Sequence, residues 1–110
     1  MVVDVSEKQV ENYVRPDGRC PFEDWMDSLR DHRARARIRT RIGRVRLGNL
    51  GRCEPVGGGV LELKIDYGPG YRVYYTERGG ELIILLAGGD KSTQQQDIKT
   101  AIHLAHNLLD

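Results

Sequence analysis

The apolar run from Leu82 to Ala87 constrains the fold of this chain more than any other segment. Its side chains are hydrophobic on both faces, whereas a strand with one solvated face alternates between apolar and polar residues. Such a run needs cover on both sides, so we expect a central strand with helices packed against the sheet. It is also far too short to cross a bilayer, which takes roughly 20 residues.

Two further segments alternate with the period of two that is typical of strands. Within residues 60–66 and 71–77, aliphatic or aromatic side chains alternate with more polar ones. A YGPG turn joins these two segments, and an RGG turn joins the second one to the apolar run. The sequence therefore predicts three meandering antiparallel strands, the third at residues 81–88.

Helical periodicity appears on either side of these strands. Residues 21–30 begin with proline and repeat apolar side chains at helical spacing, and residues 32–48 carry one apolar stripe. A third stripe predicts a C-terminal helix at residues 93–108. Residues 7–14 are predicted as a strand, and residues 53–59 as a loop. The predicted fold class is α+β, an antiparallel sheet with helices packed on it.

Length and composition indicate one globular domain. The chain has 110 residues, so we expect residues 1–110 to share one core. Hydrophobic residues make up 39% and charged residues 30%, which argues against disorder. The start of the chain lacks the basic and apolar segments of a secretory signal, and its two cysteines lie far apart. These features predict a cytoplasmic protein with reduced thiols.

The net charge of +1 conceals a strongly basic segment. Residues 30–52 hold nine arginines against the single acidic residue Asp31. A block of this kind indicates a polyanionic partner such as RNA, bound through its phosphates. The alternative is a solvated helix face in which some arginines pair with Glu23, Asp24 and Asp27 of the preceding helix.

A second group of cations lies on the polar face of the predicted strands. If the YGPG turn pairs the strands directly, Lys64, Arg72 and Tyr74 share one face, and Lys91 follows the end of the neighbouring strand. Such a patch suits a phosphodiester, because cations stabilise the charge that develops in its transition state. Tyr74 could donate a hydrogen bond or stack on a base. The alternative is an ordinary solvated sheet face.

The GGDKST segment after the apolar run has two interpretations. It lacks the glycine spacing of a nucleotide-binding P-loop, which excludes that function. A bend followed by a helix cap explains the glycines, Ser92 and Thr93, and explains Asp90 in part, but it does not explain Lys91. The proton acceptor of a phosphodiester-cleaving site is open at this point between several side chains: a lysine, Tyr74, Glu62 or Asp90.

The stretch ELKIDYGPGYRVYYTERGGELIILLAGGDKSTQQQDIKTA resembles the addiction-module killer proteins, HigB-like members of the RelE/ParE toxin superfamily. The stretch before it, from FEDW to GGGV, resembles the same family, so the resemblance covers nearly the whole chain. It implies a curved antiparallel sheet with two N-terminal helices and one C-terminal helix. The RelE branch cleaves mRNA in the ribosomal A site without a metal ion, and the ParE branch inhibits DNA gyrase.

The resemblance therefore implies the toxin of a bacterial type II toxin–antitoxin system. We expect a ribosome-dependent endoribonuclease that inhibits translation, with gyrase inhibition or an inactive nucleic-acid-binding relative as the alternatives. The expected partners are the ribosome, mRNA and a cognate antitoxin, for which a helix-turn-helix protein is one option. No cofactor, metal ion or membrane is expected.

The roles of single residues also follow from the resemblance. Arg72 falls at the place of a phosphate-binding arginine, and Lys91 at that of a second cation near the scissile phosphate. Lys64 approximates one of two paired lysines, whereas Glu62 stands at the place of the other. A C-terminal tyrosine of the RelE pattern is replaced by QQQDIKTA. The predicted catalytic residues are Lys64, Arg72, Tyr74 and Lys91, and the predicted RNA-binding residues are Arg37, Arg41 and Arg44.

Overall fold

The computed structural model describes residues 7–108 and forms a five-stranded sheet with three α-helices, so the predicted α+β class is confirmed. The elements in chain order are β1 (Gln9–Asn12), α1 (Pro21–Ser28), α2 (His32–Arg46), β2 (Cys53–Gly57), β3 (Val60–Ile65), β4 (Tyr71–Arg78), β5 (Leu82–Asp90), a 3₁₀ turn (Lys91–Thr93) and α3 (Gln94–His106).

The strands lie in the order β1-β5-β4-β3-β2. Strands β3 to β5 form the predicted antiparallel meander, which β2 extends at the edge, whereas β1 adds to β5 in parallel. The prediction of a loop over residues 53–59 was wrong for Cys53–Gly57, which is strand β2. Pro55 and the glycines around it usually interrupt strands, but β2 is an edge strand, where proline is tolerated.

Local sequence explains where the first two helices begin. Proline occupies the first position of α1, and the acids Glu23 and Asp24 lie in its first turn, where they favour the helix dipole. The Asp31 side chain accepts hydrogen bonds from the backbone N–H groups of Arg33 and Ala34 and so caps α2. These bonds hold the pKa of Asp31 below its usual value.

Strand β5 is covered on both faces, as its apolar run predicts. Ile83 and Leu85 pack into one hydrophobic cluster with side chains of α1 and α2. Leu86 and Ala87 belong to a second cluster on the α3 side. Leu85 pairs with Tyr75 and Ala87 with Tyr74, so Leu86 is an extra residue in β5. This bulge sets which face each residue beyond it occupies.

The two glycines after the bulge let helices approach β5 from opposite sides. A side chain at Gly88 would collide with the indole ring of Trp25 from α1. A side chain at Gly89 would collide with the carboxylate of Asp97 from α3. Glycine is therefore required at both positions by close packing. Within residues 7–108, no helix has the length and apolar character of a membrane span.

Candidate functional site

The strand register brings the predicted cations together on the α3 side of the sheet. Lys64 of β3 pairs with Arg72 of β4, and Glu62 pairs with Tyr74. Because cross-strand partners point to the same face, the Lys64 and Arg72 side chains are neighbours. Arg72 also pairs with Gly89 of β5, which has no side chain to cover it. The arginine thus lies at the centre of the patch.

Arg72 is held from two directions. Its Nε lies 3.5 Å from Oε2 of Glu62, and its Nη1 donates a 2.9 Å hydrogen bond to the carbonyl of Gly70. Its side chain is 12% exposed. Within residues 7–108, its remaining terminal nitrogen, Nη2, makes no hydrogen bond or ion pair. The guanidinium is therefore fixed in position while one nitrogen stays available to an anion.

Glu62 is the anion beneath this arginine. It is 1% exposed, and its Oε2 also accepts a 2.9 Å hydrogen bond from Nε2 of Gln94, at the start of α3. A carboxylate buried to this degree stays charged only when cations and donors surround it. Glu62 consequently joins β3, β4 and α3 through one group.

Tyr74 does not lie on the surface that its place in the strand suggested. It is 0% exposed and packs in the α3-side cluster with Ala101 and Leu104. Burial, reinforced by the carboxylate of Glu62, raises the pKa of the Tyr74 hydroxyl well above its usual value. Within the described residues that hydroxyl has no hydrogen-bond partner. A stacking contact between Tyr74 and an RNA base does not fit this placement.

Lys91 is exposed at the start of the 3₁₀ turn, and no described residue pairs with it. The Cβ of Lys91 and Nη1 of Arg72 lie 3.7 and 3.4 Å from the point where a Gly70 side chain would begin. The guanidinium of Arg72 and the base of the Lys91 side chain therefore lie on the same side of Gly70. Asp90 provides the cap beside them, accepting hydrogen bonds from the backbone N–H and the hydroxyl of Ser92. These bonds hold the pKa of Asp90 below its usual value.

Lys64 lies on the other side of Arg72. Its Nζ is 3.4 Å from Oε1 of Glu54 on β2, and its side chain is 24% exposed. The Glu54 carboxylate is itself largely exposed, so the pair contributes little to stability and can separate at small cost.

A cationic groove of about 880 Å³ runs between α2 and the end of β3. Six cationic side chains line it: Arg33, Arg37, Arg41, Arg44, Arg52 and Lys64. Steps of four, four and three residues place the α2 members on one helix face. Asp66 is the acidic residue in the lining, and its carboxylate lies 2.7 Å from Nη1 of Arg52. The groove therefore carries a large excess of positive charge.

The three predicted RNA-binding arginines differ in their surroundings. Arg37 and Arg44 are exposed, and the guanidinium of Arg37 lies 4.9 Å from the ring centre of Tyr67. Arg41 points inward instead: its Nη2 donates to the carbonyl of Leu50, and its Nη1 is buried without a partner among the described residues. Burial lowers the pKa of Arg41. Arg41 thus supports the loop after α2 and adds charge to the groove.

Other arginines of α2 face α1, as the alternative interpretation of the basic block proposed. Nη2 of Arg39 lies 3.1 Å from Oε1 of Glu23. Arg35 donates to the backbone carbonyls of Leu29 and Asp27. One side of the helix therefore fastens α2 to α1, and the other side lines the groove.

Sequence reasoning missed several residues of the site. Gln94 and Asp97 reach the cationic patch from α3. The glycine at position 89 was the one sequence feature that could have indicated the close approach of Asp97, because any other side chain there would collide with it. Arg33 lies four residues before Arg37, a helical spacing that could have placed it in the groove. Within residues 7–108, no cluster of three His, Cys, Asp or Glu side chains is arranged to hold a metal ion.

A sequence model of the family described as "Phage derived protein Gp49-like (DUF891)" matches residues 24–110. The chain belongs to the Gp49-like family. This is a family of RelE-like toxins, and the fold described above is compatible with a RelE-like fold. Membership of the Gp49-like family is likewise compatible with a toxin of a toxin–antitoxin system, and it suggests a cognate antitoxin as partner.

A relative from Haemophilus influenzae shares this sequence pattern. It is an uncharacterized protein that is 51% identical over 87 residues, which is 79% of this chain and 88% of the relative. No solved structure matches the chain.

The buried Glu62–Arg72 pair generates a prediction about stability. Replacing Arg72 by methionine leaves the Glu62 carboxylate buried without its cation, so we expect the free energy of unfolding to fall by about 3 kcal/mol. Lys91→Ala removes an exposed, unpaired cation and should change it by less than about 0.5 kcal/mol. Urea unfolding of both variants measures the difference. Adding Glu62→Gln to Arg72→Met should restore part of the loss, and an Arg72→Met variant as stable as the parent would contradict this account.

Proposed function

We propose that this Gp49-like protein is a HigB-like toxin of a type II toxin–antitoxin system that cleaves mRNA on the ribosome. The observation that carries the proposal is the placement of Arg72 and Lys91 together beside Gly70, where Lys64, the cross-strand neighbour of Arg72, also contributes to the lining of the cationic groove. Two converging cations suit one phosphodiester, and a longer cationic groove suits the chain of phosphates that continues from it.

In this proposal Lys91 and Nη2 of Arg72 bind the scissile phosphate. Arg72 is preorganised by Glu62 and Gly70, so little reorganisation is needed when negative charge develops on the phosphate oxygens. Lys64 exchanges its exposed partner Glu54 for the RNA. Tyr74 supports the Glu62–Arg72 pair from the interior and does not contact RNA.

The cationic groove would hold the RNA backbone. Arg33, Arg37 and Arg44 present exposed guanidinium groups to it, and the ring of Tyr67 steadies Arg37. In the ribosome these phosphates belong to ribosomal RNA or to mRNA beside the cut. Arg41, one of the predicted contacts, acts through its charge and its support of the neighbouring loop.

A nuclease of this kind must be silenced by a cognate antitoxin, and we propose a small protein, with a helix-turn-helix domain as one option. It would cover Arg72 and Lys91 or displace α3, whose Gln94 is bonded to Glu62. The toxin would act in the cytoplasm, where its ribosomal target lies.

Cleavage during translation tests the proposal. In a cell-free bacterial translation reaction with mapped mRNA ends, the protein should cut only mRNA that is being translated. Lys91→Ala should lower the cleavage rate about 100-fold or more, because one transition-state contact is lost. Lys99→Ala, which removes an exposed lysine of α3, is the matched control and should cut at the parental rate.

Equal cutting by Lys91→Ala and the parent protein would refute the assignment of Lys91. Intact mRNA together with trapped cleaved DNA on gyrase would instead establish a ParE-type inhibitor. If the protein neither cuts mRNA nor traps cleaved DNA on gyrase, it is a nucleic-acid-binding relative without either activity.

The groove generates a separate prediction about RNA affinity. Arg37→Ala with Arg44→Ala should weaken binding to a ribosomal RNA fragment and reduce the slope of log K against log salt concentration by roughly 0.7–0.9 for each arginine removed. Arg30→Ala with Arg46→Ala removes the same charge from outside the groove and should leave that slope nearly unchanged. Titrations at several salt concentrations measure both pairs. An equal change of slope in the two double variants would show that RNA affinity depends only on total charge, and it would contradict the groove as the RNA-binding surface.

A further inference from the structure

A carboxylate with no cation lies at the edge of the cationic patch. Asp97, in the first turn of α3, reaches down onto β5, where its side chain occupies the space that a side chain at Gly89 would need. Asp97 lines a cleft of about 550 Å³ that is formed by residues 91–97, so Lys91 and Asp97 share one concave surface.

The position of Asp97 relative to Arg72 follows from the strand register. Gly89 is the cross-strand partner of Arg72, and such partners lie about 5 Å apart on one face of a sheet. A phosphate held between Arg72 and Lys91 therefore lies beside the Asp97 carboxylate. The ribose attached to that phosphate comes within reach of the same group.

The other carboxylates around the patch are already engaged. Glu62 is buried against Arg72 and Gln94, and Asp90 accepts two hydrogen bonds from Ser92. Asp97 accepts one hydrogen bond, 2.5 Å long, from the hydroxyl of Thr93 to its Oδ2. Within residues 7–108 it has no ion pair, and its Oδ1 has no hydrogen bond. Glu62 is 1% exposed and so is closed to RNA, and the hydrogen bonds to Asp90 lower its pKa and make it a weaker base, whereas Asp97 lines an open cleft with Oδ1 unbonded.

The surroundings of Asp97 favour proton acceptance. Partial burial raises its pKa above the usual value, the Thr93 hydroxyl lowers it, and the charge of Asp90 raises it. The charge of Asp90 at the end of β5 acts on Asp97, and Asp97 in turn acts on Tyr74 of β4. Lys91 lines the same cleft, and the Arg72–Glu62 pair lies on the neighbouring strands, with Arg72 in register with Gly89. A carboxylate whose pKa lies above its usual value is a stronger base than an ordinary carboxylate.

We infer that Asp97 accepts the proton of the RNA 2′-hydroxyl, an inference that rests on the nuclease function proposed above. As the 2′-oxygen loses its proton to Oδ1 of Asp97, it forms a bond to phosphorus. The bond between phosphorus and the 5′-oxygen breaks, its electron pair goes to that oxygen, and a water molecule protonates it. The products are a 2′,3′-cyclic phosphate and a 5′-hydroxyl.

Single-turnover cleavage on programmed ribosomes tests this role. Asp97→Asn keeps the shape of the side chain and removes its basicity, so the rate should fall between about 100- and 10,000-fold, the range for loss of a general base. Glu81→Gln, at the β4–β5 turn on the opposite end of the strand, removes an equal charge and should cut at the parental rate. Thermal unfolding of each variant establishes that it is folded.

The dependence of the rate on pH separates a proton acceptor from a merely structural carboxylate. The rate should rise with pH as Asp97 loses its proton. Thr93→Val removes the hydrogen bond that lowers the pKa of Asp97, so this rise should move to higher pH. Asp90→Asn removes the charge that raises that pKa, so the rise should move to lower pH.

The outcomes distinguish this inference from the proposed function. Parental rates for Asp97→Asn, with Lys91→Ala inactive, would overturn the role of Asp97 and leave the nuclease intact. A slow Asp97→Asn variant whose Thr93→Val counterpart keeps the parental pH profile would also overturn it, because a structural role predicts no shift. A parent protein that cuts no mRNA would overturn both proposals.

Discussion

The ion pair between Glu62 and Arg72 is the contact on which the rest of the site depends. An isolated carboxylate buried between a sheet and a helix is unstable as an anion, so Arg72 and Gln94 must remain beside Glu62. The same requirement fixes the guanidinium of Arg72 at the surface and ties the start of α3 to the sheet. The RelE-like pattern has a second lysine at the position of Glu62. In this chain the Glu62 carboxylate takes that place and positions Arg72.

The cations of the patch and the groove are of two kinds, those held by the protein and those exposed to solvent. Arg41 and Arg72 are held by backbone carbonyls and burial, and they keep their positions without a ligand. Lys91, Arg37 and Arg44 are exposed, with Arg37 against the ring of Tyr67. A combination of preorganised and exposed cations would suit the proposed nuclease, which must bind the RNA backbone and stabilise charge at one phosphate. Asp97 adds the proton acceptor that cations alone do not supply.

The helices and most strands could be predicted because the spacing of apolar residues along the sequence marks the buried face of each element. Strand β5 is the clearest case, since its continuous apolar run predicts burial on both faces. Strand β2 was missed because Pro55 reads as a strand breaker and only its place at the sheet edge permits it. Tyr74 alternates with apolar residues as an exposed side chain would, but α3 covers that face. The contact of Asp97 with Gly89 depends on the β-bulge at Leu86, which no local sequence pattern predicts.

The central claim is that the cationic patch promotes attack by the RNA 2′-hydroxyl on the neighbouring phosphate. The most direct measurement places a single 2′-deoxynucleotide at the mapped cut position of an mRNA on programmed ribosomes and follows cleavage by the parent protein. The account predicts that this substitution abolishes cleavage there while the protein still binds the ribosome, and that the unmodified mRNA yields a 2′,3′-cyclic phosphate. Undiminished cleavage at the deoxy position would contradict it.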